Sequence, residues 1–151
     1  MRVAHHAIDV VASPDECWRA LADLGSWPRW FPFLRSARSL DGATANDPWR
    51  VGGRMKLVFG LGPIRVPVTT VVQEIEPPHK VRWLGKGFGV SGDHAYTIEV
   101  RAKDATRVTS HEEFTGLGAR FMTEGIFQRI DSEAHRSMER FKAWVERKTV
   151  P

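Results

Sequence analysis

The sequence predicts an α+β protein in which a curved antiparallel sheet packs against one long C-terminal helix. Three features carry this reading: an opening strand followed at once by a capped helix, five runs rich in Val, Ile and Thr in meander spacing between residues 54 and 114, and a closing amphipathic stripe over 122–148. No strand run alternates with a long helical pattern, so the βαβ repeats of a nucleotide-binding sheet are absent. The 151 residues, 42% of them hydrophobic, are enough for one continuous core, and one domain is expected over 1–151.

Residues 2–12 carry Val3, Ile8, Val10 and Val11 in imperfect alternation, which suits a strand with one covered face. Ser13-Pro14-Asp15-Glu16 then supplies an N-cap serine, a proline at the first helical position and a glutamate three residues after the cap. The helix this starts is expected to run to about Leu24 and to stop at Gly25. Between Trp27 and Phe33 two prolines forbid a long helix while four aromatics demand burial or a ligand, so a short helix or tight turn is expected. Within 39–53, Asp41-Gly42, Asn46-Asp47-Pro48 and Gly52-Gly53 read as turns linking short strands. The sheet proper follows as runs over 54–59, 64–76, 80–84, 94–101 and 107–114. Over 122–148 the residues Phe127, Ile130, Ala134, Met138, Phe141 and Val145 fall three or four apart on one stripe. That stripe must lie on the sheet, because no other apolar surface remains in sufficient quantity.

Composition narrows the function classes. No stretch approaches the roughly 18 consecutive apolar residues of a membrane span, and His5, His6 and Asp9 break the opening apolar run where a signal peptide would not, so a soluble cytoplasmic protein is expected. Cys17 is the only cysteine and reads as a small buried hydrophobe. The 22 Lys and Arg against 18 Asp and Glu give +4 spread along the chain, which permits an anionic partner without indicating one; no nucleic-acid partner is expected. His5 and His6 point to opposite faces of one strand and no metal-ligand spacing occurs, so no metal is expected. Gly85-Lys86-Gly87-Phe88-Gly89 lacks the helix and the Lys-Ser/Thr of a phosphate loop and reads as a strand connection; no cofactor is expected. The oligomeric state is not legible.

The order of strand, two short helices, meander and long helix, with the segments SPDECWRALADLGSWPRWFP, EIEPPHKVRW, GDHAYTIEV and TRVTSHEEFTG, resembles the START/Bet v 1-like (SRPBCC) superfamily, of the polyketide cyclase/dehydrase and lipid transport type. The resemblance covers nearly the whole chain. It implies a helix-grip fold: a seven-stranded antiparallel sheet curled around the C-terminal helix, with a deep cavity between them. Members include lipid carriers, hormone receptors, aromatic cyclases, hydrolases and co-chaperones, so the chemistry has to be argued from the cavity.

Strand alternation puts His94, Tyr96, Ile98 and Val100 on one face, Val108, Ser110, Glu112 and Phe114 on one face of the next strand, and Val81, Trp83 and Gly85 on one face of the preceding strand; these sets are expected to face the cavity. His94, Tyr96, Ser110 and Glu112 are then the polar groups of an apolar wall, with Trp83, Ile98, Phe114 and Phe127 as lining. Trp27 and Trp30 are assigned to the core end, and Phe31 is open between core and lid. The Gly60-Leu61-Gly62-Pro63 segment reads as a hairpin turn. A buried His and Glu on neighbouring strands pair either as a base and its orienter or as a purely structural hydrogen bond. A bulge would exchange them for Asp93 and Glu113. The leading function is binding or transport of a hydrophobic small molecule: a lipid, an isoprenoid or a polyketide-like aromatic. Its alternatives are a cyclase or dehydratase using His94 with Glu112 or Tyr96, and a protein-interaction role for Arg136, Arg140, Arg147 and Lys148.

Overall fold

Alternating apolar residues need one covered face, and the strands obtain it together in a single antiparallel sheet. In the computed structural model, which describes residues 1–42 and 49–147, they are β1 (Arg2–Val10), β2 (Leu34–Ser39), β3 (Arg54–Leu61), β4 (Ile64–Glu76), β5 (Lys80–Gly87), β6 (Val90–Ala102) and β7 (Ala105–Thr115). Their spatial order, β1-β7-β6-β5-β4-β3-β2, makes β2 to β7 one meander with the first strand returning beside the last. The helices are α1 (Pro14–Ala22), α2 (Trp27–Trp30), α3 (Leu117–Arg120) and α4 (Glu124–Glu146), with a 3-10 turn at Leu24–Ser26. The curved sheet wraps α4, which is the helix-grip arrangement.

Local chemistry fixes the ends of these elements. Ser13 Oγ accepts from the Glu16 amide at 3.2 Å and the Glu16 carboxylate accepts from the Ser13 amide at 3.0 Å, a reciprocal capping box that starts α1. Cys17 and Leu21 face inward from α1, and burial, with smaller contributions from Glu16 and Glu146, pushes the Cys17 thiol up to about 12, which makes it unreactive. Thr123 caps α4 by accepting from the Ile126 amide at 3.2 Å. The stripe of α4 then divides: Met138, Phe141 and Val145 are buried against the core, while Ile130 and Ala134 face a cavity.

The aromatic segment before β2 is wedged between sheet and helix. Trp30 is fully buried, with its ring centroid 5.0 Å from Phe141 on α4 and 6.5 Å from Tyr96 on β6. Trp27 packs 5.4 Å from Trp83 on β5 and donates from Nε1 to the Leu21 carbonyl at 2.8 Å. Such offset and edge contacts add to plain area burial.

The structure departs from expectation in four places. The second strand lies at Leu34–Ser39 rather than within 39–53, because an edge strand interrupted by a bulge between Leu34 and Ser36 buries little and shows a weak apolar signal. The Asn46-Asp47-Pro48 turn lies outside the described residues, as does Lys148. Gly85 and Gly87 belong to β5, and only Phe88-Gly89 connects it to β6; both have positive φ, 52° and 73°, as a two-residue hairpin of this twist requires. Val100 is exposed instead of facing the cavity, because a bulge between Val100 and Ala102 ends the alternation. The one-turn helix α3 was not foreseen; it follows Gly116, where φ is 100° and a Cβ would lie 2.5 Å from the Gly89 carbonyl.

Since Phe141 closes the contact between α4, the Trp30 wedge and the sheet, truncation by Phe141→Ala is expected to cost about 3–5 kcal/mol in urea unfolding. A cost below about 1 kcal/mol would show that α4 is held elsewhere.

Candidate functional site

Between the N-terminal half of α4 and the sheet lies a cavity of about 410 Å³. That is within the range of roughly 300–1,000 Å³ usual for small-molecule sites. The β4 residues Val66, Val68 and Thr70 form one wall, and Ile130, Glu133 and Ala134 of α4 form the roof. Phe31, Phe33 and Phe59 close the side below the Trp27 wedge. Phe33 holds its ring there from a left-handed backbone, φ 66°, with the Arg129 guanidinium 5.7 Å from the ring centroid.

The floor is made by what is missing. Gly85 pairs with Gly92 across β5 and β6, and Gly87 follows one alternation further along, so three lining positions have no side chain. A Cβ at Gly85 would come 3.1 Å from the Thr70 methyl, and one at Gly92 would come 3.1 Å from Glu112 Oε1. Glycine inside a strand marks a place where another group approaches the backbone, and here the approaching space is the cavity.

One edge of the floor is polar. Register places Trp83, His94 and Glu112 side by side on β5, β6 and β7, and all three line the cavity. His94 Nδ1 lies 3.2 Å from Glu112 Oε2, and Nε2 lies 2.8 Å from Ser110 Oγ. The imidazole is stacked on Tyr96 at 4.6 Å and tilted against Trp83 at 5.1 Å, which fixes its orientation. Burial drives both members of the pair toward their neutral forms: His94 is pushed down to about 3, with repulsion from His111 adding, and Glu112 is pushed up to about 7. A carboxyl near half-titration beside a neutral imidazole can pass a proton in either direction at neutral pH, while Ser110 donates to or accepts from the far nitrogen.

Of the residues expected to line the site, Trp83, His94, Glu112, Phe114 and Phe31 do so. Tyr96, Ile98 and Ser110 do not. They share the cavity face, but further along β6 and β7, where the C-terminal half of α4 and the Trp30 wedge seal them into the core. Burial first, and then the Glu112 charge, push the Tyr96 phenol up despite an opposing pull from nearby Ser110; its Oη has no hydrogen-bond partner within bonding geometry. Phe127 is also outside the lining, because its ring sits edge-on to Phe114 at 6.4 Å with the Arg2 guanidinium 5.1 Å from its centroid. Trp27, assigned to the core, is buried there and also borders the cavity. Asp93 points to the opposite face, where Arg82 holds it at 2.9 Å, so the register places His94, not Asp93, inward.

Sequence reasoning missed Thr70 and Gly92. Thr70 was legible from the alternation of Val66, Val68, Thr70 and Val72 along β4, and Gly92 from its place two residues before His94 on β6.

A curved antiparallel sheet gripping a C-terminal helix above an apolar cavity defines a START/Bet v 1-like protein. The family model described as polyketide cyclase / dehydrase and lipid transport matches residues 1–146, and the chain belongs to that family. Solved structures agree in fold. The Zhui aromatase/cyclase from a Streptomyces species superposes with a TM-score of 0.76 at 14% identity, covering 98% of this chain and 95% of that one. A START superfamily protein from Mycobacterium smegmatis gives 0.76 at 12% identity, covering 96% and 97%. The di-domain ARO/CYC BexL from the BE-7585A biosynthetic pathway gives 0.75 at 21% identity over the whole of this chain, which spans only 48% of that longer protein. No curated protein matches the chain. Among the described residues no helix is long and apolar enough to cross a membrane.

The pKa displacements carry a sign that can be measured. The folded state holds the Glu112 proton more tightly than an unfolded carboxyl near 4.5, so stability falls as pH rises from there to about 7. His94 acts oppositely, costing stability as pH falls from 6.5 toward about 3. Glu112→Gln removes only the first effect. Relative to wild type it is therefore expected to gain about 2 kcal/mol between pH 5 and pH 8, read from urea midpoints; a difference independent of pH would contradict the buried titration.

Proposed function

We propose that the protein binds a hydrophobic small molecule, such as a lipid, an isoprenoid or a polyketide-like aromatic, in the cavity between the sheet and α4. The observation that carries this is the apolar cavity with its polar groups gathered mainly along one edge, the arrangement that seizes a ligand by burial and orients it by a few hydrogen bonds. Burying about 200 Å² of apolar ligand surface is worth about 5 kcal/mol before the costs of association. The cytoplasm is the compartment we assign, which suits the free thiol of Cys17.

The His94–Glu112 pair favours a second reading, a cyclase or dehydratase. In it the cavity folds a reactive chain, Glu112 removes and returns the proton on that substrate, and His94, held by Ser110, stays neutral and positions the carboxyl. Tyr96 drops out of this role, since it does not reach the cavity. No contact among the described residues singles out the protein-interaction reading: Arg136 pairs with Glu133 at 3.4 Å and Arg147 lies over the Trp144 ring at 3.3 Å, while Lys148 lies outside the described residues.

One set of proteins separates the readings. Ala134→Phe fills the roof and is expected to weaken binding of an apolar probe, 2-naphthol, at least tenfold with little change in Tm. Unchanged binding would move the ligand site elsewhere. Glu112→Gln is expected to keep probe affinity within about threefold; with a reactive poly-β-carbonyl substrate, the enzymatic reading requires it to lose about 100-fold or more in turnover. Equal turnover would leave a carrier alone.

A further inference from the structure

We propose that the cavity selects its ligand by charge: it takes a hydrophobic amine, whose protonated amino group is received by the Glu112 carboxylate, and turns away molecules that carry a carboxylate, free fatty acids among them. This rests on the reading that the cavity holds an apolar small molecule, and it adds the charge which that molecule carries.

The charges of the lining are of one sign. Among the described residues the ionisable groups that line the cavity are His94 and Glu112 on the floor and Glu133 on the roof, and no lysine or arginine joins them. His94 is only 6% exposed and is kept neutral by that burial, so it does not balance the carboxylates. The arginines of the roof helix stay outside the lining. Arg136 pairs with Glu133 at 3.4 Å from an exposed position, and the exposed Arg129 lies over the Phe33 ring at 5.7 Å. Glu133 therefore has a cation beside it, whereas the polar partner of Glu112 is the neutral His94.

The geometry of Glu112 leaves one oxygen for a ligand. Oε2 makes the contact with His94 Nδ1 at 3.2 Å. Oε1 overlooks the bare backbone of the floor, 3.1 Å from where a Cβ of Gly92 would stand. The side chain lines the cavity and keeps 24% of its surface accessible. A carboxylate at the edge of an apolar space is costly unless a cation meets it. An ammonium group brings both the N–H donor and the positive charge, and such charge-assisted hydrogen bonds are the strong ones. The aromatic lining, with Trp83, Phe31, Phe59 and Phe114, works in the same direction, because the negative faces of aromatic rings attract cations. A carboxylate ligand meets the opposite conditions: two carboxyl groups, negative ring faces and no lining cation to receive it.

The experiment is a calorimetric titration at pH 8, where the Glu112 carboxyl is ionised, with three compounds that share a naphthalene body and differ in charge: 2-naphthylmethylamine, 2-naphthalenemethanol and 2-naphthoate. Wild type, Glu112→Gln, Glu133→Gln and Ala134→Phe are compared, with Tm recorded for each. In wild type the amine is expected to bind about tenfold tighter than the alcohol, the difference between a charge-assisted and a neutral hydrogen bond, and the naphthoate about tenfold weaker than the alcohol or worse. Glu112→Gln keeps the shape and removes the charge; it should erase the advantage of the amine while leaving alcohol affinity within about threefold. Glu133→Gln should retain the advantage, since Arg136 already balances that group. Equal affinities for amine and alcohol in wild type, tighter binding of the naphthoate, or an advantage that survives Glu112→Gln overturns the selection by charge; if the alcohol still binds and loses affinity in Ala134→Phe, the cavity reading stands without it. Binding of none of the three overturns both.

Discussion

The constraint on which the rest of this structure depends is the wedge of Trp27 and Trp30 between the sheet and α4. A helix bearing Ile130, Ala134, Met138, Phe141 and Val145 on one stripe would, left to itself, lie flat on an apolar sheet. Trp30 packs edge-on to Phe141 at 5.0 Å and Trp27 lies against Trp83 at 5.4 Å, so the indoles fill the space at the C-terminal half of the contact. At the other end of the helix, Arg2 of β1 pairs with Glu124 and donates to the Met122 carbonyl at 3.3 Å. Held at both ends, α4 leaves the space below Ile130 and Ala134 unfilled, and that space is the cavity.

An empty apolar space in a core is normally unfavourable, and the sheet contributes to it deliberately through absent side chains. Gly85, Gly87 and Gly92 remove three side chains from the middle of the floor, while Trp83 and His94, one row away, keep theirs. The same glycine that opens the floor gives the Glu112 carboxyl its place, since a Cβ at Gly92 would crowd Oε1. Shape and electrostatics are therefore one arrangement: the carboxyl sits where burial raises its pKa to about 7 because the backbone beside it is bare.

Much of this was legible in the sequence. The capping box at Ser13, the bounds of β4 and the stripe of α4 follow from local chemistry, and the alternation in β6 and β7 correctly turns His94 and Glu112 inward. What was not legible depends on where long-range packing falls. Tyr96 and Ser110 have the same parity as His94 and Glu112, yet two residues along each strand α4 and Trp30 descend onto the sheet and separate core from cavity. No local pattern encodes that boundary. Likewise the parity of Val100 was right until a bulge ended it, and β2 is too polar an edge to announce itself.

The central claim is that a ligand enters beneath the N-terminal half of α4 and lies on the glycine floor. Amide chemical-shift mapping with 2-naphthol tests it most directly. The account predicts saturable shifts at Thr70, Gly85, Gly92 and Ala134, with Arg82, Asp93 and His111 on the opposite face silent. Shifts confined to that opposite face, or none at concentrations that saturate other apolar cavities, would contradict it.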